Sequence, residues 1–228
     1  MANNLTSILA ISESLTINDQ RLIGQSISRN QRIVTSEVLT VVPFQFVMKP
    51  MAYLLYSQNR ALLANLRKYD RSLTQYLNFS STGWVNYIAY QGDMTSVQLA
   101  ACQWQTSSTG TNLVLGNLPS ISSTAYIVKA GDFCQMDSYA YIATADVQRG
   151  SGSTVTIPVH RTILTTLGTA QNAVIGQYGT TIAMGGSTYT GVTFPVILQG
   201  YPTYNLVPMT NDSFIQWTGN FQALEAVL

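Results

Sequence analysis

The chain has 228 residues, enough for one full domain or two small ones around a proper core. Hydrophobic residues make up 46% and charged residues only 9%, where an ordinary soluble domain carries about 25% charged; this excludes a disordered tail or a mucin-like stalk. The net charge of +1 excludes a general nucleic-acid binder. Ser and Thr, 47 residues together, take the place of charges on the surface. Such a surface is poorly protected against self-association, so much of it is expected to be covered by neighbours in an assembly. Charge is also divided: residues 1–80 carry a net +4 and residues 81–228 a net −3, which suits a stacked or head-to-tail assembly. No window approaches the ~20 apolar residues of a membrane span, and no signal peptide is read before Leu5–Ile11. Cys102 and Cys134 lie 32 residues apart with no C-x-x-C, and are expected to be buried thiols in a reducing cytoplasm.

In chain order, Gln25–Glu37 reads either as one extended segment or as two strands about a turn at Asn30-Gln31. Val38–Met48 follows, interrupted by Pro43 and stopped by Pro50. Leu62, Leu66, Tyr69, Leu73 and Tyr76 step by 4, 3, 4 and 3, predicting a helix over Ser57–Tyr76 with Ser57 as N-cap. Its other faces carry Arg60, Arg67, Lys68 and Arg71, a basic back that would meet an acidic face of a neighbour. From Gly83 onward the period changes to two. Trp84–Tyr90, Ser96–Thr106, Asn112–Leu118, Tyr126–Val128, Phe133–Met136, Tyr139–Ala145, Thr154–Val159, Tyr189–Leu198 and Phe214–Trp217 read as strands. Turn signals separate them at Gly110, Gly131-Asp132, Gly150-Ser151-Gly152 and Gly185-Gly186. Many short strands with one helix predict a mainly β fold, a sandwich or barrel.

No constellation for catalysis emerges. The single histidine, His160, follows a strand end and reads as structural. There is no G-x-S-x-G elbow, no phosphate loop and no metal-ligand spacing; Asp132, Asp137 and Asp146 occupy ordinary turn and strand-end positions. The expectation is no enzyme, no cofactor and no metal. Thirteen tyrosines and three tryptophans suit either a carbohydrate platform or subunit-interface anchors, the second being favoured.

Several stretches, taken in order, resemble the tail proteins of tailed bacteriophages at the tube–baseplate junction. Val128-Lys129-Ala130-Gly131-Asp132-Phe133-Cys134-Gln135, then Tyr139–Val147, then Gly150–Arg161 resembles a unit of distal-tail and tube-initiator proteins. That unit has an A-G-D turn with a following Gln, an aromatic strand, a glycine turn and a strand ending in P-x-x-R. Gly116-Asn117-Leu118-Pro119 resembles the turn that precedes it. Pro43–Phe46 with the following helix, and Leu206–Met209 with Phe214–Trp217 and Phe221–Glu225, resemble the opening and closing passages of tail-tube-like domains, the last ending in an aromatic strand and a glutamate. The whole pattern is most similar to contractile-tailed phages of cyanobacteria.

The resemblance implies a tail-tube-like β-sandwich or barrel of residues 1–95 plus 205–228, with a β-rich insertion at 96–204. It implies a virion protein, synthesised in the host cytoplasm, that forms a ring of six copies. The ring would initiate the tail tube, or adapt it to the central hub. The implied partners are copies of itself, the tail tube protein and the baseplate hub and wedge proteins, with genome DNA passing through the lumen unbound and no membrane contact. The alternative is a receptor- or glycan-binding tail module built on the loops after Tyr189.

Overall fold

The structure, a computed structural model, describes residues 4–19, 23–27, 33–37, 42–68 and 73–227. The fold is mainly β, with a curled half-barrel sheet and one main helix. That sheet has five antiparallel strands in the order Ser12–Asn18, Gln45–Pro50, Phe221–Glu225, Thr193–Gly200, Gln75–Asn78. Two four-stranded sheets come from the middle of the chain. One runs Tyr139–Ile142, Phe133–Met136, Val174–Ile175, Tyr178–Gly179; the other runs Val155–Pro158, Asn112–Gly116, Gln103–Trp104, Gln171–Asn172. Thr193–Gly200, which the expected division places in the insertion, lies inside the half-barrel between Phe221–Glu225 and Gln75–Asn78.

The half-barrel closes over an aromatic core. Phe194, fully buried, touches the rings of Phe44, Phe46, Phe79 and Phe133 at centroid distances of 5.0–6.0 Å. All four are edge-on contacts, which the ring quadrupole favours. Phe133, Ala140 and Val174 belong to the middle segment yet bury their side chains in this first core. A second core gathers Trp104, Leu113, Leu115, Ile127, Tyr141 and Ile157 between the middle sheets.

Three α-helices occur among the described residues: α1 (Asn4–Ala10), α2 (Tyr56–Lys68) and α3 (Ser96–Ala101). The expected long helix is therefore shorter. Leu62 and Leu66 do pack inward, but the 4-3 stepping beyond Lys68 is coincidental. Tyr76 sits in a strand opposite Pro195, with its ring 5.6 Å from Tyr189, and Leu73 is exposed. Pairing with the edge of the half-barrel, which buries Leu77 and Asn78, overrides helical periodicity there.

Two expected strands are also helical. Trp84–Tyr90 contains a 3₁₀ turn at Val85–Ile88, started where the Thr82 hydroxyl accepts from Trp84 N–H. Ser96–Thr106 begins as α3, because Thr95 and Gln98 form a reciprocal capping box, and only Gln103–Trp104 is strand. At the start of the chain α1 buries Leu5, Ile8 and Leu9 against the half-barrel. Of the two readings of Gln25–Glu37, pairing of Ile23–Ile27 with Ile33–Glu37 supports two strands; Asn30-Gln31 itself lies outside the described residues.

The cap of α2 comes from elsewhere in the chain. Ser57 N–H and Oγ both donate to the carboxylate of Asp212, at 3.2 and 2.6 Å, so a hairpin carboxylate serves the first turn in place of a Ser57 cap. The Ser57 hydroxyl bond holds the Asp212 carboxyl below its ordinary value, helped by Ser213 N–H. A depressed value in the folded state adds stability at pH above the unfolded carboxylate value, and that stability is lost as pH falls through the folded value. Asp212→Asn is expected to lower the urea midpoint at neutral pH and to converge with the unsubstituted protein under acid conditions, measured by parallel urea titrations.

Candidate functional site

Three residues of the sequence motif, Gln135, Arg161 and Glu225, form buried bonds between the half-barrel and the middle segment. The motif begins with a tight turn: Asp132 N–H donates to Lys129 C=O at 3.0 Å, and Gly131 has φ +98° at the third position, as a type II turn requires. Asp132 is fully buried, yet its two carboxylate oxygens accept from Gln91 N–H and Lys129 N–H, each at 2.8 Å. Burial pushes this carboxyl above its ordinary value, while those two amides pull it back.

Three residues on, Gln135 joins three sheets. Its amide nitrogen donates to Thr193 C=O and its amide oxygen accepts from Thr193 N–H, both at 2.8 Å, so a side chain imitates a strand partner for the half-barrel. Its backbone carbonyl accepts from the Trp104 indole at 2.6 Å, tying in the other middle sheet. Gln135 and Thr193 are both fully buried, so every one of these groups needs its partner.

Arg161 and Glu225 complete the lock. Both side chains are wholly inaccessible, and the guanidinium meets the carboxylate bidentately at 2.5 and 2.6 Å. Arg161 also donates to Val42 C=O and Ala140 C=O, each at 2.7 Å. Its plane lies 5.1 Å from the Phe44 ring centroid and 5.3 Å from that of Tyr141. Glu225 further accepts from Phe44 N–H at 3.1 Å. The P-x-x-R arginine and the closing glutamate, 64 residues apart, are thus one ion pair. Beside it, His160 Nδ1 accepts from Ile142 N–H at 3.0 Å and the ring packs on Phe44, which gives the histidine a structural task.

The turns of the motif are tied in the same way. Arg149 donates to Pro119 C=O at 3.0 Å and to Gly152 C=O at 2.6 Å, joining the Gly116–Pro119 turn to the glycine turn at 150–152.

Of the four basic residues read from the sequence, Arg60 is exposed on α2. Arg67 and Lys68 belong to the last turn of α2, and Arg71 lies outside the described residues. Cys102 and Cys134 are both buried free thiols, and burial pushes Cys102 up to about 11 and Cys134 higher still. Among the described residues no three His, Cys, Asp or Glu side chains gather as a metal site, and no helix is long and apolar enough to cross a membrane.

A hollow of about 500 Å³ opens beside Thr6, Asn78, Ser80, Gln177 and Tyr189. Its polar walls are largely bonded to one another: Asn78 Nδ2 donates to Thr190 C=O and Thr193 Oγ1, Ser80 Oγ to Thr190 C=O, and Gln177 Oε1 accepts from Tyr90 N–H. No family model matches the chain, and no curated protein matches it.

Removing one member of a buried pair leaves an uncompensated charge, at a cost of about 3–5 kcal/mol. Glu225→Gln is expected to lose that much in urea unfolding, whereas the double replacement Arg161→Met with Glu225→Leu is expected to lose markedly less.

Proposed function

We propose that this chain is a structural virion protein of a phage tail, forming a ring at the tube–baseplate junction that initiates the tail tube or adapts it to the hub. The observation that carries this reading is the way Gln135, Arg161 and Glu225 tie the middle sheets to the half-barrel. The elements by which the sequence resembles distal-tail and tube-initiator proteins lie far apart along the chain, yet they lock one half-barrel to one set of middle sheets. A resemblance by chance would have no reason to fall on side chains that depend on one another.

The surface supports the same reading. A ring of half-barrels joins neighbours through strand edges; the half-barrel sheet ends at Ser12–Asn18 on one side, while at its other end Gln75–Asn78 lies against α1, whose Thr6 hydroxyl accepts from Asn78 N–H. Neutral hydroxyls are cheaper to bury against a neighbour than ions. The ring would hold six copies, with the tail tube protein on one face, hub and wedge proteins on the other, and DNA passing unbound through the lumen.

The second reading, a receptor- or glycan-binding module, draws on the hollow beside Tyr189. Its polar groups are mostly engaged internally, which leaves few to recognise a sugar.

Native mass spectrometry of the purified protein, alone and mixed with tail tube protein, separates the two. A hexamer, or a monomer that rings or seeds tubes on mixing, is expected. A stable monomer or trimer indifferent to tube protein would overturn the junction reading and send the protein to a glycan array.

A further inference from the structure

His160 is the chain's one histidine, and histidine is the side chain that ordinarily changes charge between about pH 5 and 8. The fold uses it as a strand partner. Its main-chain N–H donates to Ile142 C=O, and its Nδ1 accepts from Ile142 N–H, both at 3.0 Å. Both backbone groups of Ile142 therefore depend on one residue. Beside it Val159 bridges Ala143, and Thr144 N–H donates to Pro158 C=O at 2.9 Å, so residues 158–160 zip onto the end of the strand Tyr139–Ile142. Arg161 follows at once, and its guanidinium donates to Ala140 C=O of that same strand.

An imidazole nitrogen accepts a hydrogen bond only while it carries no proton, and both nitrogens of the imidazolium are donors. The Ile142 bond therefore selects the neutral ring with its proton on Nε2. Protonation turns Nδ1 into a donor facing another donor. It also adds a positive charge near an existing one, since the His160 ring lies 5.5 Å and the Arg161 guanidinium 5.1 Å from the same Phe44 ring. On the elements packed around the ring, two carboxylates are already engaged. Glu225 accepts from Arg161 with both oxygens and from Phe44 N–H. Asp132, whose main-chain carbonyl accepts from Ala143 N–H, takes Gln91 and Lys129 N–H on its carboxylate. Tyr141 keeps its proton in this range, because burial pushes it up to about 12.

We infer that His160 is an acid-sensitive latch: taking up a proton there releases Ile142, unseats Arg161 and loosens the middle sheets from the half-barrel. The inference goes beyond the ring reading and stands apart from it. In the unfolded chain the ring takes up its proton as pH falls through about 6.5. The folded chain takes it up only by giving up the Ile142 bond. Unfolding therefore binds a proton below that pH, and stability present above it is lost as pH falls. Asp132 works in the opposite direction: burial raises its carboxyl, so acid favours its protonated form within the fold and adds stability. An acid loss in this range thus belongs to the histidine.

Urea unfolding of the whole chain in steps from about pH 7.5 to 5.5 tests it, with His160→Asn beside the unsubstituted protein. Asn sets a non-titrating acceptor oxygen where Nδ1 stands. The folding constant of the unsubstituted protein is expected to fall, approaching tenfold per pH unit below about 6.5, while that of His160→Asn stays level. An unsubstituted protein that stays level, or a variant that falls with it, would overturn the inference. NMR gives a readout without substitution, because one histidine gives one ring signal. At about pH 6 the folded protein is expected to show the neutral, Nε2-protonated ring. An imidazolium signal there, with the Ile142 amide unmoved, would equally overturn it.

Discussion

The buried pair of Arg161 and Glu225 is the constraint on which the rest of the structure depends. Two opposite charges with no access to water are costly unless the geometry is good and further hydrogen bonds offset their desolvation. Here Arg161 makes four hydrogen bonds, to both oxygens of Glu225 and to Val42 and Ala140 carbonyls, between two aromatic rings, and leaves its buried Nε without a partner. Those partners come from the entry to the half-barrel, its closing strand and the middle sheet. The three pieces must assemble together, since any one of them missing leaves a bare charge in an apolar interior. Gln135 imposes the same rule through neutral groups, bonding Thr193 with its side chain and Trp104 with its main chain.

That coupling makes the middle segment part of the fold more than an appendage on it. Phe133 packs tilted and edge-on among the half-barrel phenylalanines, and Thr193–Gly200 runs inside the half-barrel sheet. Gly176 marks how closely the parts approach: at φ +59° a side chain there would lie 2.7 Å from Ile88 C=O.

Much of the β architecture was legible because alternating residues and glycine turns mark half-buried strands. Tyr126–Val128 and Phe133–Met136 appear with the bounds read from the sequence. α3 was legible only through its cap: Thr95-x-x-Gln98 was a capping signature inside a stretch that otherwise looked extended. The end of α2 was not legible, since Leu73 and Tyr76 continue a helical stripe that pairing with Pro195 interrupts. Arg161, Gln135 and Glu225 stood out as motif residues, but nothing in spacing says that an arginine and a glutamate 64 residues apart will meet. Nor does the sequence distinguish the exposed apolar residues of Tyr204–Met209 from core ones, because Leu206 and Val207 stand side by side with no polar face to show which side is open.

The central claim is that the lock makes half-barrel and middle sheets one cooperative unit. Native-state hydrogen exchange in low denaturant tests it directly, comparing amides of Phe133–Met136 with those of Thr193–Gly200 and Phe221–Glu225. A shared opening free energy, falling together with denaturant, is predicted. Middle-sheet amides that exchange by a separate, lower-energy opening while the half-barrel stays protected would contradict it.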